Sequence, residues 1–358
     1  PDRRHARPHP AQSRKDDVYD EAKQMNVLRP TSSGSDSTSQ NVRHTRDRPY
    51  YRTRLLLLVK VGFTIALCYY VISVLLTNVT QVKEAWQEGH LRFRAPIIGL
   101  SLAICAFHYF LRSFIWHLIT VQLRGAIRFG SATASYMISL LGKYLPGKVF
   151  LYAARVFLYK QRGVSVKTTT LCFALESVIS LTSALLLFLL YSVAVGPPIE
   201  IGLPSSYLRA ISLGLILIVL ALLNPWITRS VSRMLPSRLQ SFTEYGLSYR
   251  QILTLLILSI CSWTCLGLAF YVFTAGIMHV DSDSFFLLVM SFPVSAVLGV
   301  AALFAPAGIG VREGILLELI RPLMPSGLAA LLTVSSRLWI TLVELMLAVI
   351  GLIAIRKA

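Results

Sequence analysis

Long apolar runs, separated by short polar segments, follow one another from residue 55 to the end of the chain. An α-helix needs roughly 20 apolar residues to cross the hydrocarbon core of a bilayer, and each of these runs approaches or exceeds that length. They predict membrane spans at residues 55–76, 95–118, 168–195, 208–227, 252–277, 285–303 and 328–355. The predicted fold class is therefore all-α, a polytopic membrane helix bundle.

Two further stretches are helical in pattern but only partly apolar. Residues 131–159, the first broken segment, and residues 307–320, the second broken segment, each contain or adjoin a Pro/Gly break with charges beside it. Non-helical backbone at membrane depth is tolerated only where protein or a water-filled cavity covers it. Both segments are therefore expected to be re-entrant or half-spanning, which gives seven to eight crossings in all.

Residues 1–54 differ from the rest of the chain. They contain five prolines, the polar run 31–40 and many charges, and they show no apolar periodicity. Such a segment cannot bury enough apolar surface to offset the entropy lost on ordering. We expect a disordered, basic cytosolic tail over 1–54 and a transmembrane domain over 55–358.

Composition narrows the class of protein. Hydrophobic residues make up 54% of the 358 residues and charged residues only 15%, while the net charge is +18. Soluble domains carry about 25% charged residues. The chain is too apolar for a disordered or nucleic-acid-binding arm, so no nucleic-acid partner is expected, and a membrane protein with basic cytoplasmic edges fits both values.

The distribution of Lys and Arg predicts the orientation. Basic residues concentrate in the tail and in 124–167 and 228–250, whereas 196–207 and 278–284 carry only acidic charges. Because loops rich in Lys and Arg stay in the cytoplasm, the first three regions are expected inside and the last two outside. The prediction is a multi-pass protein of the cell membrane with a cytosolic N-terminus.

A few charges lie inside the predicted spans, where each costs at least about 2.5–3.5 kcal/mol on insertion scales. Arg337 and Glu344 are two turns apart, so they share one helix face, and Arg337 is expected to pair with Glu176 across the bundle. Such a pair either only locks helices together or forms a polar site on a substrate path. Three other polar side chains within spans are expected to snorkel to the interface: Lys60, Arg112 and His117.

The two broken segments resemble each other, which indicates an internal repeat. Pro146-Gly147-Lys148 is followed by a buried charge thirty residues after the proline, and Pro306 is followed by one after thirty-one. Paired broken helices in two halves mark the substrate site of many transporters, although a packing kink is the alternative. A half-helix starting near Gly308 would direct free amides at an anion such as a lipid phosphate. The candidate lipid-binding residues are Lys148, Arg155, Glu176, Gly308, Gly310, Arg312, Glu313, Arg337 and Glu344.

No pattern indicates a cofactor. The sequence has no Gly-rich phosphate loop, nucleophile elbow or HExxH motif, and its five cysteines lie in apolar runs without metal-ligand spacing. We therefore predict no catalytic residue, no metal and no cofactor.

The octapeptide PAGIGVRE at 306–313, followed by an apolar helix and a span with Arg337, resembles the signature of the lysylphosphatidylglycerol synthase transmembrane region. The stretch LPGKV at 145–149, with Arg155 and Glu176, is similar to the first half of that flippase-like family, although many members carry Gly-Glu where this chain has Val149-Phe150. The resemblance covers roughly 55–355. It implies a membrane region that moves an aminoacylated lipid between leaflets while a separate soluble domain makes that lipid.

Three functions remain open. The leading hypothesis is translocation of a lipid, expected to be anionic, or of a lipid-linked headgroup. The second is a non-catalytic membrane partner of a separately encoded lipid-modifying enzyme. The third is a glycosyl- or aminoacyl-transferase, for which the outer carboxylates are Glu200, Asp281 and Asp283. Because the sequence ends at Ala358 with no soluble synthase domain after the last span, lysyltransferase activity is not expected.

Overall fold

The computed structural model describes residues 69, 72–73, 76–77, 79–87, 91–144, 149–194, 196, 204–222, 247–301 and 310–357. Within these residues the chain is all-α: it contains no strand, only one isolated bridge between Leu91 and Met278. This confirms the predicted fold class. The predicted tail, 1–54, and most of the predicted first span, 55–76, lie outside the described residues.

Ten α-helices form the described part of the molecule. In chain order they are α1 (Val79–Gln87), α2 (Ala95–Gln122), α3 (Phe129–Ser139), α4 (Val149–Lys160), α5 (Val166–Ala194), α6 (Ser205–Leu222), α7 (Tyr249–Ile277), α8 (Phe285–Ala301), α9 (Val311–Ile320) and α10 (Ser326–Lys357). A 3₁₀ segment, Leu140–Tyr144, continues α3, and shorter 3₁₀ turns precede α8 and follow α9.

Five stretches of the described chain are long and apolar enough to cross a membrane. They are Ala95–Gln122, Val166–Ala194, Tyr249–Ile277, Ser282–Gly299 and Ser326–Arg356. Each overlaps a predicted span, so those five predictions are confirmed to within a few residues. The predicted span 208–227 is described only as far as residue 222, where α6 ends.

Local sequence signals explain where several helices start. Ser248 caps α7 by accepting a hydrogen bond from the Gln251 amide, while the Gln251 side chain accepts one from the Ser248 amide. The second helix has a proline in its first turn, where a missing amide hydrogen does no harm. Glycines at 163 and 310 adopt positive φ, which lets the chain turn tightly into the helices that follow.

Both broken segments contain helices too short to span a bilayer. The 12 residues of α4 and the 10 of α9 extend about 18 and 15 Å at 1.5 Å per residue, about half of a 30 Å hydrocarbon core. The 3₁₀ segment lies against the start of α4 so closely that a Cβ on Gly142 would be 2.6 Å from the Cα of Leu151. These lengths agree with the predicted half-spanning segments.

The bundle is organised around α7, which packs most extensively on α2 and also on α5 and α8. Polar side chains join the helices from inside. The hydroxyls of Ser183 and Ser259 are 2.7 Å apart between α5 and α7, and Trp339 Nε1 donates to Ser101 Oγ at 3.1 Å between α10 and α2. The outer face is apolar, with Leu338 70% exposed. Since lipid is as apolar as leucine, close packing and internal hydrogen bonds hold such a bundle together.

Replacement of Gly267 by alanine should separate α7 from α8. A Cβ at Gly267 would lie 1.9 Å from the carbonyl oxygen of Val289, and that backbone atom cannot rotate away. We expect a loss of about 1–3 kcal/mol of unfolding free energy, seen as a lower melting temperature in detergent. The control is Gly99→Ala on α2, where nothing lies within 4 Å of the new Cβ. Equal melting temperatures for the two variants would contradict this packing.

Candidate functional site

Glu176, on α5, is the centre of the first charged cluster. Its Oε2 accepts a hydrogen bond from Nη1 of Arg155 at 2.7 Å, and its Oε1 accepts one from Nη2 of Arg112 at 2.8 Å. The hydroxyl of Tyr136 approaches the same Oε1 at 3.4 Å. One buried carboxylate therefore joins α2, α3, α4 and α5.

Both arginines of this cluster have further partners. The guanidinium of Arg155 lies 4.1 Å from the ring centroid of Tyr136 and 4.4 Å from that of Trp116, and its Nε donates to Ser139 Oγ at 3.0 Å. Arg112 donates from Nη1 to Ser180 Oγ at 3.1 Å. Charged hydrogen bonds and aromatic faces thus replace the water that these cations would hold at the surface.

Glu344, on α10, is the centre of the second cluster and is completely buried. It accepts hydrogen bonds from the hydroxyls of Tyr109 and Tyr144 and from the ammonium of Lys143. Tyr109 belongs to α2, and the other two donors belong to the 3₁₀ segment of the first broken segment. This carboxylate therefore anchors the first broken segment to α10.

Glu313, in the first turn of α9, has two different partners. Its Oε2 accepts the amide hydrogen of Gly310 at 2.8 Å, and its Oε1 lies 3.4 Å from Nη1 of Arg337 on α10. The sequence predicts a half-helix whose free amides bind an anion. In the structure the Gly310 amide instead donates its hydrogen bond to the Glu313 carboxylate. Gly308, where that helix was expected to begin, lies outside the described residues, and α9 begins at Val311.

Arg312 differs from the other buried cations. The residue is 8% exposed, and its guanidinium lies 4.3 Å from the ring centroid of Phe292 on α8. Its Nη2 has no hydrogen-bond partner within the described part of the chain. A Cβ on Gly299 would be 2.8 Å from the Arg312 Cβ, so the glycine makes room for this side chain on α8.

Cations outnumber carboxylates in this interior. Among the described residues, the three clusters and Arg312 together contain five cations and three carboxylates: Arg112, Lys143, Arg155, Arg312 and Arg337, and Glu176, Glu313 and Glu344. Five cations against three carboxylates leave an excess of two positive charges. Because burying an unpaired charge is costly, this excess favours an anionic guest.

The sequence predicts the positions of most of these charged residues, but it predicts some of their partners wrongly. The predicted pair of Arg337 with Glu176 is wrong: Arg337 pairs with Glu313, because that face of α10 meets α9, while Glu176 is bound by Arg155 and Arg112. The prediction that Arg112 snorkels to the interface is also wrong, since it bonds inward to the carboxylate. Lys148 and Lys60 lie outside the described residues.

Sequence reasoning missed the donors to Glu344. Lys143 lies in the basic region 124–167, whose composition predicts a cytosolic location, and no sequence pattern points to Tyr109 or Tyr144. The sequence does offer one signal, because a carboxylate inside an apolar span, such as Glu344, requires hydrogen-bond donors from elsewhere in the chain.

Asp281 and Asp283, considered for a transferase, are exposed, and Asp281 lies 3.7 Å from His279. Glu200 lies outside the described residues. No group of three or more potential metal ligands occurs within the part of the chain that the structure describes.

Replacement of Glu176 by glutamine should strongly destabilise the bundle. The change keeps the shape but leaves Arg155 and Arg112 buried without a counter-charge, which typically costs about 3–5 kcal/mol. The control is Glu318→Gln, which removes a carboxylate from the exposed pair with Arg321 and should cost about 0.5 kcal/mol or less. Thermal unfolding in detergent measures both. Similar small losses would show that Glu176 is not needed to neutralise the two arginines.

The family model described as "Lysylphosphatidylglycerol synthase TM region" matches residues 57–348, a stretch that contains both broken segments and all three charged clusters. No curated protein matches the chain.

Proposed function

The chain belongs to the lysylphosphatidylglycerol synthase transmembrane-region family, and from this membership and its charged interior we propose that it moves a membrane lipid between the two leaflets. The observation that carries the proposal is the set of three charged clusters inside a bundle of membrane-length helices. A lipid headgroup cannot cross hydrocarbon without partners for its charges, and buried charges at membrane depth usually mark a substrate path.

The positions of the clusters support a mechanism in which α10 is the common support. Glu344 joins α10 to the first broken segment, and Arg337 joins α10 to the second. Separation of either pair leaves a charge unsatisfied unless a headgroup takes its place. A phosphate substitutes for the carboxylate facing Lys143 or Arg337, and an amine substitutes for the cation facing Glu344 or Glu313.

In this mechanism a polar headgroup lowers the free energy needed to separate the paired helices. Each ion pair is replaced by an equivalent interaction with the lipid, while the acyl chains stay outside against the apolar face of the bundle. We further propose that the protein lies in the cell membrane with its N-terminus in the cytosol, as the distribution of Lys and Arg predicts. Within this proposal the reaction needs no cofactor, and lysyl transfer is not part of it.

The test is lipid exchange in reconstituted liposomes. Vesicles with a fluorescent phosphatidylglycerol in both leaflets are treated with an impermeant quencher, and the fraction of lipid that becomes accessible over time is followed. We expect faster exchange than in protein-free vesicles. Exchange at the protein-free rate by correctly folded protein would contradict the proposal, and co-purification with a lipid-modifying enzyme would then favour the role of membrane partner.

A charge-neutral double variant tests the second broken segment. Glu313→Gln with Arg337→Gln removes both charges of the pair at once, so no charge of that pair remains unpaired. If the headgroup exchanges partners there, the rate should fall by about tenfold, equivalent to one charged hydrogen bond of roughly 1.4 kcal/mol.

The matched control is Glu318→Gln with Arg321→Gln, which removes an exposed pair near the end of the same helix. This control should exchange lipid at the unmodified rate. Equal rates for the two double variants would mean that the Glu313–Arg337 pair only holds helices together.

A further inference from the structure

Among the buried cations that the structure describes, Arg312 has no carboxylate partner within hydrogen-bonding distance. Its backbone lies beside Gly299 and its guanidinium lies over Phe292, seven residues earlier on α8. Seven residues of helix rise about 10 Å. The side chain therefore extends along α8 into the bundle and away from the point where α8 ends.

The nearby carboxylates are already occupied. Arg312 interacts electrostatically with Glu313 and Glu344, and with the cation Arg337. Glu313 bonds to the Gly310 amide and Arg337, while Glu344 accepts bonds from three other donors. Among the described residues, this region thus holds three cations, Lys143, Arg312 and Arg337, against two carboxylates, which leaves one positive charge in excess.

The Glu176 cluster is different in kind. Both of its arginines bond directly to the carboxylate and to a serine hydroxyl, and no nitrogen of either is unpartnered and buried within the described residues. Nη2 of Arg312, by contrast, is a buried donor without a partner. Leaving such a donor unsatisfied is unfavourable, and more so for a charged group.

We propose that Arg312 is the cationic centre of a binding site for one singly charged phosphate group. A phosphodiester brings one negative charge, which balances the local excess, and its oxygens accept the planar N–H groups of a guanidinium. The face of Phe292 holds the guanidinium in place, and the N–H groups at the edge of the guanidinium bind the phosphate. The site deepens the proposed function and rests on it, because it assigns recognition of the headgroup phosphate to Arg312 and a structural role to the Glu176 cluster.

Binding is tested separately from transport, with the purified full chain in uncharged detergent micelles. The probes are phosphatidylglycerol, an uncharged galactosyl diacylglycerol with the same acyl chains, and inorganic phosphate. We expect phosphatidylglycerol alone to raise the melting temperature in a saturable way. Native mass spectrometry should show one tightly held phosphatidylglycerol per chain.

Two variants assign the effect to Arg312. In Arg312→Gln the apparent affinity for phosphatidylglycerol should fall by roughly tenfold or more, because a charged hydrogen bond is lost. In the control Arg321→Gln, which changes an exposed arginine just after the same helix, the affinity should be unchanged. Unchanged affinity in Arg312→Gln would overturn the proposal.

A third variant covers the case in which Arg312→Gln does not fold. Phe292→Leu keeps the guanidinium and removes the ring beneath it. It should lower the melting temperature without lipid and still respond to phosphatidylglycerol but not to the galactolipid. An equal response of this variant to both lipids would contradict a phosphate site.

The remaining outcomes separate the sources of the phosphate and the two proposals. Stabilisation by inorganic phosphate that depends on Arg312 would support the site and overturn its assignment to a lipid headgroup. Binding of phosphatidylglycerol through Arg312 without lipid exchange in liposomes would uphold the site and refute transport. Lipid exchange that is unaffected by Arg312→Gln would uphold transport and refute the site at Arg312.

Discussion

The structure depends on one constraint: a charge buried at membrane depth needs a partner supplied by the protein itself. Three carboxylates supply such a partner to most of the buried cations that the structure describes. Glu176 joins four helices through two arginines, Glu344 holds the first broken segment, and Glu313 holds α10 through Arg337. In water these contacts would contribute little, because solvent competes for every donor and acceptor. In lipid the alternative to each contact is an unsatisfied charge, so the clusters determine which helices lie next to one another.

The apolar residues have a complementary role. The outer surface of α10 is leucine-, isoleucine- and valine-rich and faces lipid, so its burial does not distinguish one helix arrangement from another. Close approach does distinguish them, as where Gly267 lets α7 contact the backbone of α8. Small residues thus set the distances between helices, and the charged clusters set their rotation. Arg312 is the exception, since its room on α8 is provided by Gly299 but no described carboxylate fixes its charge.

Much of the fold could be predicted from the sequence because hydropathy over 20 residues is a local property. The predicted spans containing Arg112, Glu176 and Glu344 agree with the observed helices to within a few residues, and Pro and Gly predict both broken segments. The partners could not be predicted in the same way, because pairing depends on how distant helices rotate against each other. Tyr109 and Glu344 are 235 residues apart, and no periodicity connects them. Lys143 had the sequence context of a cytoplasmic charge, and only the fold of the 3₁₀ segment directs it inward.

Glu313 combines two tasks in one side chain, with a mechanical consequence. The same carboxylate accepts the Gly310 amide hydrogen at the start of α9 and neutralises Arg337 on α10. The Glu313 carboxylate therefore links the position of Arg337 on α10 to the first turn of α9. Gly310, with φ of 84°, adopts a left-handed conformation that glycine tolerates best, at the residue where α9 begins. The start of α9 and its contact with α10 therefore depend on one side chain, so a substitution of Glu313 changes both at once.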